Sequence, residues 1–344
     1  MITIKEIAEE LNVSPTTVSN VIHGNLKRVS PQNAERISKR LKELNYIPNM
    51  GARMLANGDS KIIGVIMNTL DDKNNQMDKY SMTYGNFNST IFSVLEREIR
   101  QMGFYMMFYI ARSIDEILTV VKTWNIDGLI VWGLMGEKCQ SLSEKLVRPT
   151  VFIDGCFKPK SSCVNIGLYD TYGGYLATLY LLENGHRQVA FVTDSKPLEG
   201  VSNERYKGYK QAFQEYGLSE ERETIFYLPK EKMKRIQYYE QLYKECQNNS
   251  AFFFDSDYYA VEAMNFFMDK GIRIPEEMSI IGFDDNVLSR IVRPQLTTIH
   301  QNVAEKAVQA VKQLNKLMKD PETPNRTIML PVQLMVRGTV KKIN

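Results

Sequence analysis

Two patterns of apolar and polar positions divide the chain. Over the first fifty residues the apolar positions recur at helical spacing. Ile4, Ile7, Ala8 and Leu11 fall at i, i+3, i+4 and i+7, one stripe on one helix face. Thr3 and Glu6 stand three apart at its start, the spacing of a capping box. Asn12-Val13 makes a short turn, and Ser14-Pro15 opens a second helix as N-cap and first helical residue. Val18, Val21 and Ile22 face inward on it. Thr16, Thr17, Ser19 and Asn20 are left near the outer side, and Gly24 ends the helix. Ser30-Pro31 repeats the device for a third helix, with Ala34, Ile37, Leu41 and Leu44 on its apolar stripe.

From Lys61 the pattern becomes an alternation of apolar runs and helical stretches. The runs are "KIIGVIM", "FYMMFYI", "DGLIVWG", "TVFIDG", "CVNIG", "QVAFVTD", "AFFFDS" and "MSIIGFDD". Between them, helical spacing covers 87–102, 114–124, 172–184, 204–216, 232–246 and 258–270. Strands apolar along their whole length, joined by helices, specify parallel sheets covered on both faces. Eight or more of them predict two sheets rather than one. There is no internal repeat and no low-complexity segment.

The totals narrow the class. At 344 residues the chain calls for two or three domains. Hydrophobic residues make up 43%, enough to build globular cores. No apolar run approaches the ~18 residues that cross a bilayer, and "MITIKEIAEE" has no signal-peptide core, so no membrane partner is expected. Cys139, Cys156, Cys163 and Cys246 include no C-x-x-C pair, which reads as reduced thiols in a cytoplasmic protein. His23, His186 and His300 are far apart, so no metal is expected. The net charge of +3 says little, but its distribution says more. Lys27, Arg28, Arg36, Lys39, Arg40 and Lys42 face a single acid, Glu35, within sixteen residues, a patch suited to phosphates.

Two short helices joined by a tight turn and braced by a third make a helix-turn-helix. Thr16, Thr17 and Asn20 are then candidate base readers on the second helix. Ser14, Lys27, Arg28, Arg36 and Lys39 are candidate phosphate contacts that position it. In the larger region, ligands of open parallel sheets sit outside the C-terminal strand ends. That rule selects Asn68, Asp154, Asp194, Ser256-Asp257 and Asp284-Asp285, with Arg205 opening a helix after a strand. Trp132, Phe157 and Tyr258 stand where they could stack on a ring. Asp170 and Asp257 read as helix caps. No G-x-G-x-x-G follows a strand and no G-x-x-x-x-G-K-[ST] occurs, and the Gly173-Gly174 pair lacks the surrounding pattern. Neighbouring Asp284 and Asp285 point different ways, so no catalytic acid pair forms. An enzyme is not expected, and no cofactor.

The stretches "TIKEIAEELNVSPTTVSNVIHG" and "VSPQNAERISKRLKELNYIPN" resemble the headpiece of the LacI/GalR family of bacterial transcriptional regulators. "DGLIVWG", "ENGHRQVAFVTD", "NERYKGYKQAF", "MSIIGFDD" and "RPQLTTIHQN" match family motifs in the family's order, so the resemblance covers nearly the whole chain. It implies a small all-α headpiece at 1–48, a hinge helix at 49–60, and an α/β core of two Rossmann-like subdomains of periplasmic-binding-protein type. The core subdomains would be 61–164 plus 291–324, and 165–290 plus 325–344. It implies crossings near Asn165, Ile291 and Pro324. Leu55 would be the hinge's minor-groove wedge; Gly51 weakens that helix by ~1 kcal/mol against Ala, which suits a segment that folds on DNA.

Carried over from the family, Arg205, Asp154, Ser256 and Asp284 would hold a small-molecule effector, joined by Asn68 from the strand-end rule. An arginine and carboxylates suit the vicinal hydroxyls of a sugar or sugar derivative. The chain departs from the family at three places. Asn20 stands where the family usually has Arg, which exchanges a guanine preference for an adenine one. Ser256 stands where Asn is common. The polar stretch "NTLDDKNNQMDKYSMTYGNFNST" replaces a compact loop and reads as a surface loop. The expected protein is a cytoplasmic homodimeric repressor on a near-palindromic operator, controlled by that effector. A nucleobase or protein co-regulator is the alternative effector. From another class, a cytoplasmic solute-binding protein is the alternative function.

Overall fold

The computed structural model describes residues 2–22, 24–46, 60–68, 85–155, 157, 163–218, 224–245, 250–320, 322–324 and 326–343. Expectations that fall on Leu55, Gly51 and positions 69–84 lie outside the described residues. The chain forms two compact units, 1–60 and 61–344.

The first unit holds α1 (Ile4–Leu11), α2 (Pro15–Ile22), a single 3-10 turn at Leu26–Arg28 and α3 (Pro31–Glu43). Each helix starts as its cap residues dictate. Glu6 N–H donates to Thr3 Oγ1 at 3.2 Å, and Thr3 N–H donates to Glu6 Oε2 at 2.6 Å, closing the capping box. Thr17 N–H donates to Ser14 Oγ at 3.1 Å and Asn33 N–H to Ser30 Oγ at 3.4 Å. Gly24 takes a left-handed φ of 72° just past α2, a conformation a β-carbon would strain. Ile7, Ala8, Val18, Val21 and Ile37 form the centre of the unit. So small a core has little redundancy. Cutting Ile37 to Ala costs about 2–5 kcal/mol, comparable to the whole stability of such a domain.

The second unit begins with β1 (Ile62–Asn68), α4 (Gly85–Gln101), β2 (Tyr105–Ala111), α5 (Ile114–Thr123), β3 (Gly128–Trp132), α6 (Gly136–Lys145), β4 (Thr150–Ile153) and β5 (Cys163–Leu168). It continues with α7 (Asp170–Glu183), β6 (Val189–Thr193), α8 (Gly200–Glu215), β7 (Thr224–Tyr227), α9 (Lys232–Glu245), β8 (Ala251–Phe254), α10 (Asp257–Asp269) and β9 (Ser279–Asp284). It ends with α11 (Val287–Ile291), β10 (Thr297–Gln301), α12 (Val303–Lys319), β11 (Arg326–Leu330) and β12 (Val332–Met335). Two six-stranded sheets result, ordered β11-β5-β4-β3-β1-β2 and β12-β10-β9-β8-β6-β7. Every pairing is parallel except β10 with β12. The eight expected runs all became strands. Fully buried β3, β4, β5, β6 and β8 carry the two-faced apolar pattern.

The domain boundaries differ from the expected ones. β5 runs through Asn165 to Leu168, so the first crossing follows Leu168. β10 pairs with β9, so 297–301 belongs to the second sheet and the chain returns at Asn302, not near Ile291. β11 pairs with β5, so the last crossing is Pro331, not Pro324. β10, β11 and β12 carry mixed polar and apolar residues, and helix-to-strand spacing alone does not say which sheet such strands join.

Candidate functional site

In the headpiece, Thr16 is exposed at the start of α2, and Thr17 and Asn20 are half-buried on it. Ser14 Oγ lies 2.8 Å from Thr17 Oγ1, so the cap holds the Thr17 hydroxyl in place. Val18 and Val21 on the same helix point into the core, as does part of Ile22. Lys27, Arg28 and Lys39 are exposed. Arg36 Nη2 donates to the carbonyl of Leu11 at 3.2 Å, closing the end of α1, so this basic residue also has a structural partner. Arg40 lies 2.7 Å from Glu10 and 3.1 Å from Glu43, which neutralises it within the patch.

In the core, the strand order reverses between β1 and β3 in one sheet and between β6 and β8 in the other. Polar residues follow those strands, as the topology requires of a ligand site. Arg205 on α8 is the centre. Its Nε donates to Asp170 Oδ1 at 2.8 Å, its Nη1 donates to the Asp255 carbonyl at 2.5 Å, and its guanidinium lies 3.6 Å above the Phe283 ring. Burial works against the charge, but Asp170, Asp284 and Asp255 together raise the arginine's proton affinity. Two glycines allow this placement. A β-carbon on Gly174 would meet the Arg205 carbonyl, and one on Gly208 would meet the Thr171 carbonyl, so α7 and α8 can approach only with glycine at both positions.

A chain of hydrogen bonds joins the two sheets. Asp154, held at a left-handed φ of 56° after β4, accepts from Lys306 Nζ at 2.7 Å. Lys306 also donates to Gln301 Oε1 at 3.0 Å. Gln301 Nε2 donates to Asp284 Oδ1 at 2.6 Å, and Ser256 Oγ donates to Asp284 Oδ2 at 3.2 Å. Asp154, Ser256 and Asp284 are therefore brought together in one chain, and Arg205 stands close enough to interact electrostatically with Asp284. Asn68 ends β1 at the first sheet's reversal.

The aromatic residues fare differently. Trp132 ends β3, buried, with its ring 5.5 Å from Phe92 on α4. Phe157 packs edge-on against Phe152 at 4.9 Å in the core of the first lobe. Tyr258 belongs to a cluster on α9 and α10, its hydroxyl 3.4 Å from Glu262 and its ring beside Arg235 and Tyr259. The rings of Phe157 and Tyr258 are thus engaged by the protein itself.

The two expected caps are corrected. Tyr169 precedes α7 as its N-cap, and Asp170 is Arg205's partner. Ser256 caps α10, accepting from Tyr258 N–H at 3.3 Å, while Asp257 accepts from Thr298 Oγ1 at 2.5 Å and Asn286 N–H at 2.9 Å. Asp284 and Asp285 do diverge. Asp285 pairs with Arg290, Arg337 and His300 and holds the end of the second sheet together.

Sequence reasoning missed Lys306, Gln301 and Asp255. Lys306 had a signal. It lies three residues after Val303 and four before Ala310, on the apolar stripe of α12, where a lysine needs a buried partner. Asp255 is 3% exposed and its Oδ2 accepts from Thr193 Oγ1 at 2.5 Å and Ser202 Oγ at 2.6 Å. Burial, with Asp194 nearby, pushes its carboxyl up to about 7; burial pushes Asp170 up to about 6 in spite of Arg205. Burial also raises Asp284 and Asp257. Among the described residues no group of side chains could hold a metal ion, and no helix is long and apolar enough to cross a membrane.

A capped helix-turn-helix unit and a two-sheet parallel core with polar and charged residues at strand ends of both sheets define a regulator built from a DNA-binding module and a ligand-binding core. Residues 3–49 match the model of bacterial regulatory proteins of the lacI family, and 178–340 match that of the periplasmic binding protein-like domain. The chain is 30% identical over 359 residues to the HTH-type transcriptional repressor PurR of Histophilus somni, covering all of both proteins. Among solved structures, the Lac repressor dimer bound to operator and the anti-inducer ONPF matches with a TM-score of 0.81 at 23% identity over 99% of each chain. The transcriptional regulator CelR with cellobiose matches with a TM-score of 0.69 at 21% identity over 98% of this chain and 100% of that one. The chain belongs to the lacI family of bacterial regulatory proteins. It is a DNA-binding transcriptional repressor with an effector-binding core, not an enzyme.

Proposed function

We propose that the protein acts in the bacterial cytoplasm as a homodimer that represses transcription from a near-palindromic operator. Its effector is a sugar or sugar derivative bound between the two lobes of the core. One α2 helix reads too few bases to specify a site, and two related by a dyad read both half-sites. Thr16, Thr17 and Asn20 read base edges, Ser14, Lys27, Arg28, Arg36 and Lys39 contact phosphates, and Leu55 opens a base step from the minor groove.

The observation that carries the effector reading is the polar chain Asp154–Lys306–Gln301–Asp284–Ser256, which runs from the end of β4 to the end of β9 beside Arg205. A planar donor beside paired acceptors suits vicinal hydroxyls. A ligand that competes for any link changes how the lobes are tied, and the lobes lead to the DNA-binding segment. The CelR complex with cellobiose is consistent with a sugar in this fold. The test is a thermal-shift screen of sugars, sugar phosphates and nucleobases on the full chain. A ligand at ~100 times its Kd stabilises by ~2.7 kcal/mol. A hit among the sugars that also shifts operator binding supports the reading; a hit confined to nucleobases replaces the sugar.

A further inference from the structure

The charges in the core site do not balance. Among the described residues, the cations that face Asp154, Asp170, Asp255 and Asp284 are Arg205 and Lys306. These groups form one electrostatic unit: Asp170 feels Arg205, Asp154 and Lys306, and Arg205 feels Asp170, Asp284 and Asp255. With all ionised, four carboxylates against two cations leave two negative charges over, an excess that protons on the raised carboxyls partly take up. Asp194, which interacts with Asp255, and Asp257, which interacts with Asp284, add to the excess rather than relieve it. The arginines near Asp285 do not relieve it either, because Arg290 and Arg337 are bonded to Asp285.

Hydrogen bonding shows where the excess is unmet. Asp255 is almost wholly buried, and among the described residues its Oδ1 has no hydrogen-bond partner, although Oδ2 has two. Asp154 Oδ1 is also buried without a partner among the described residues, although Oδ2 has Lys306. One such oxygen sits after a strand of each sheet, β8 and β4. A buried carboxylate oxygen needs a donor, and a buried surplus charge needs a counter-charge. A neutral hydroxyl supplies the first alone. An anionic ligand supplies neither and adds repulsion. A protonated amine supplies both.

Resting on the reading of the core as the effector site, we propose that the effector is a polyhydroxylated amine, of the amino sugar or aminocyclitol class. Its ammonium group donates to Asp255 Oδ1, and its hydroxyls are held by Arg205 and Asp284. Binding supplies the counter-charge that protons otherwise supply. Uncharged sugars of the same shape bring no counter-charge to the carboxylate, so the site discriminates by charge. The buried excess of carboxylates is what gives the amine its selectivity.

The test uses the full chain with paired probes: glucosamine, galactosamine, their parents glucose and galactose, and N-acetylglucosamine, whose nitrogen carries no charge. Thermal shift and calorimetry are expected to give at least tenfold tighter binding for an amine than for its parent or its acetylated form. Asp255→Asn is expected to reduce the amine's affinity at least tenfold more than the parent's. A parent sugar that binds as tightly as its amine overturns this inference and leaves the effector reading standing. If these probes, sugar phosphates and nucleobases all leave both melting and operator binding unchanged, the effector reading falls with it. A second measurement needs no ligand. At pH 8 Asp255→Asn is expected to raise the melting temperature of the empty protein, since an asparagine oxygen still accepts from Thr193 and Ser202. A lower melting temperature for a folded variant would show the carboxylate to be purely structural and would overturn the proposal.

Discussion

Lys306 and Asp154 hold each other at 2.7 Å although 152 residues separate them, and Lys306 is fully buried. The pair fastens α12 to the end of β4, and through Gln301 it reaches the second sheet. Removing one partner of a buried pair leaves the other charge unmet, which costs about 3–5 kcal/mol. Lys306→Met should lower the unfolding free energy by about that amount, and adding Asp154→Asn should restore most of it. Urea denaturation of the two variants checks this. A single substitution within 0.5 kcal/mol or so of the parent is what a surface pair would give, and it would refute the strap.

Arg205→Lys keeps the charge but loses the fork that spans Asp170 and the Asp255 carbonyl. Effector-dependent change in operator affinity should fall at least tenfold, while operator affinity without effector stays within about twofold of the parent, a difference below ~0.5 kcal/mol. An intact response in an anisotropy titration would remove Arg205 from the site.

Asn20→Arg should shift the preferred base at one operator position from adenine to guanine, since asparagine pairs with adenine and arginine with guanine. Each such contact discriminates by ~1–3 kcal/mol. Selection of bound sites from random DNA, repeated for both proteins, reads the change; identical selected sites would mean that Asn20 reads no base.

The raised carboxyls make a pH prediction with a definite sign. Asp255 titrates near 3.8 in the unfolded chain and about 7 in the folded one. Between those values the folded state holds a proton that the unfolded state has lost, so this group's contribution falls as pH rises from about 4 to about 7. Asp170, raised to about 6, acts in the same sense. His186, lowered by burial from 6.5 to about 4, acts in the opposite sense over its own window. The comparison of Asp255→Asn with the parent isolates one group. The variant's advantage in melting temperature should grow from pH 5 to pH 8. An advantage that does not change with pH would contradict the shift.

The parts of the molecule that the sequence made legible share a physical cause. Helices in the headpiece announce themselves by caps, because Thr3, Ser14 and Ser30 must meet backbone N–H groups that nothing else satisfies. Buried central strands announce themselves by unbroken apolar runs. The edge strands β11 and β12 are partly exposed, and the inner strand β10 carries threonine, histidine and glutamine, so their apolar pattern is diluted, and that is why the crossings at Asn302 and Pro331 were misplaced. The positions of Asp154, Ser256 and Asp284 at strand ends were legible from where the apolar runs stop, and the ligand role expected of them and of Arg205 came from the strand-end rule and the family resemblance. Asp170 was misread because a carboxylate at a helix start has a common bland role, and its partner is 35 residues away. Lys306 was overlooked for a similar reason: one charge on an amphipathic helix reads as solvated until its place on the apolar stripe is checked.

The central claim is that a small molecule in the core controls DNA binding by the headpiece. The direct measurement is a fluorescence-anisotropy titration of a selected operator with the full chain, with and without the ligand that gives the largest thermal shift. Saturating ligand should change operator affinity between about 5-fold and 150-fold, the ~1–3 kcal/mol typical of coupled sites, with little change on random DNA. Operator affinity that stays the same at saturating ligand would contradict the account.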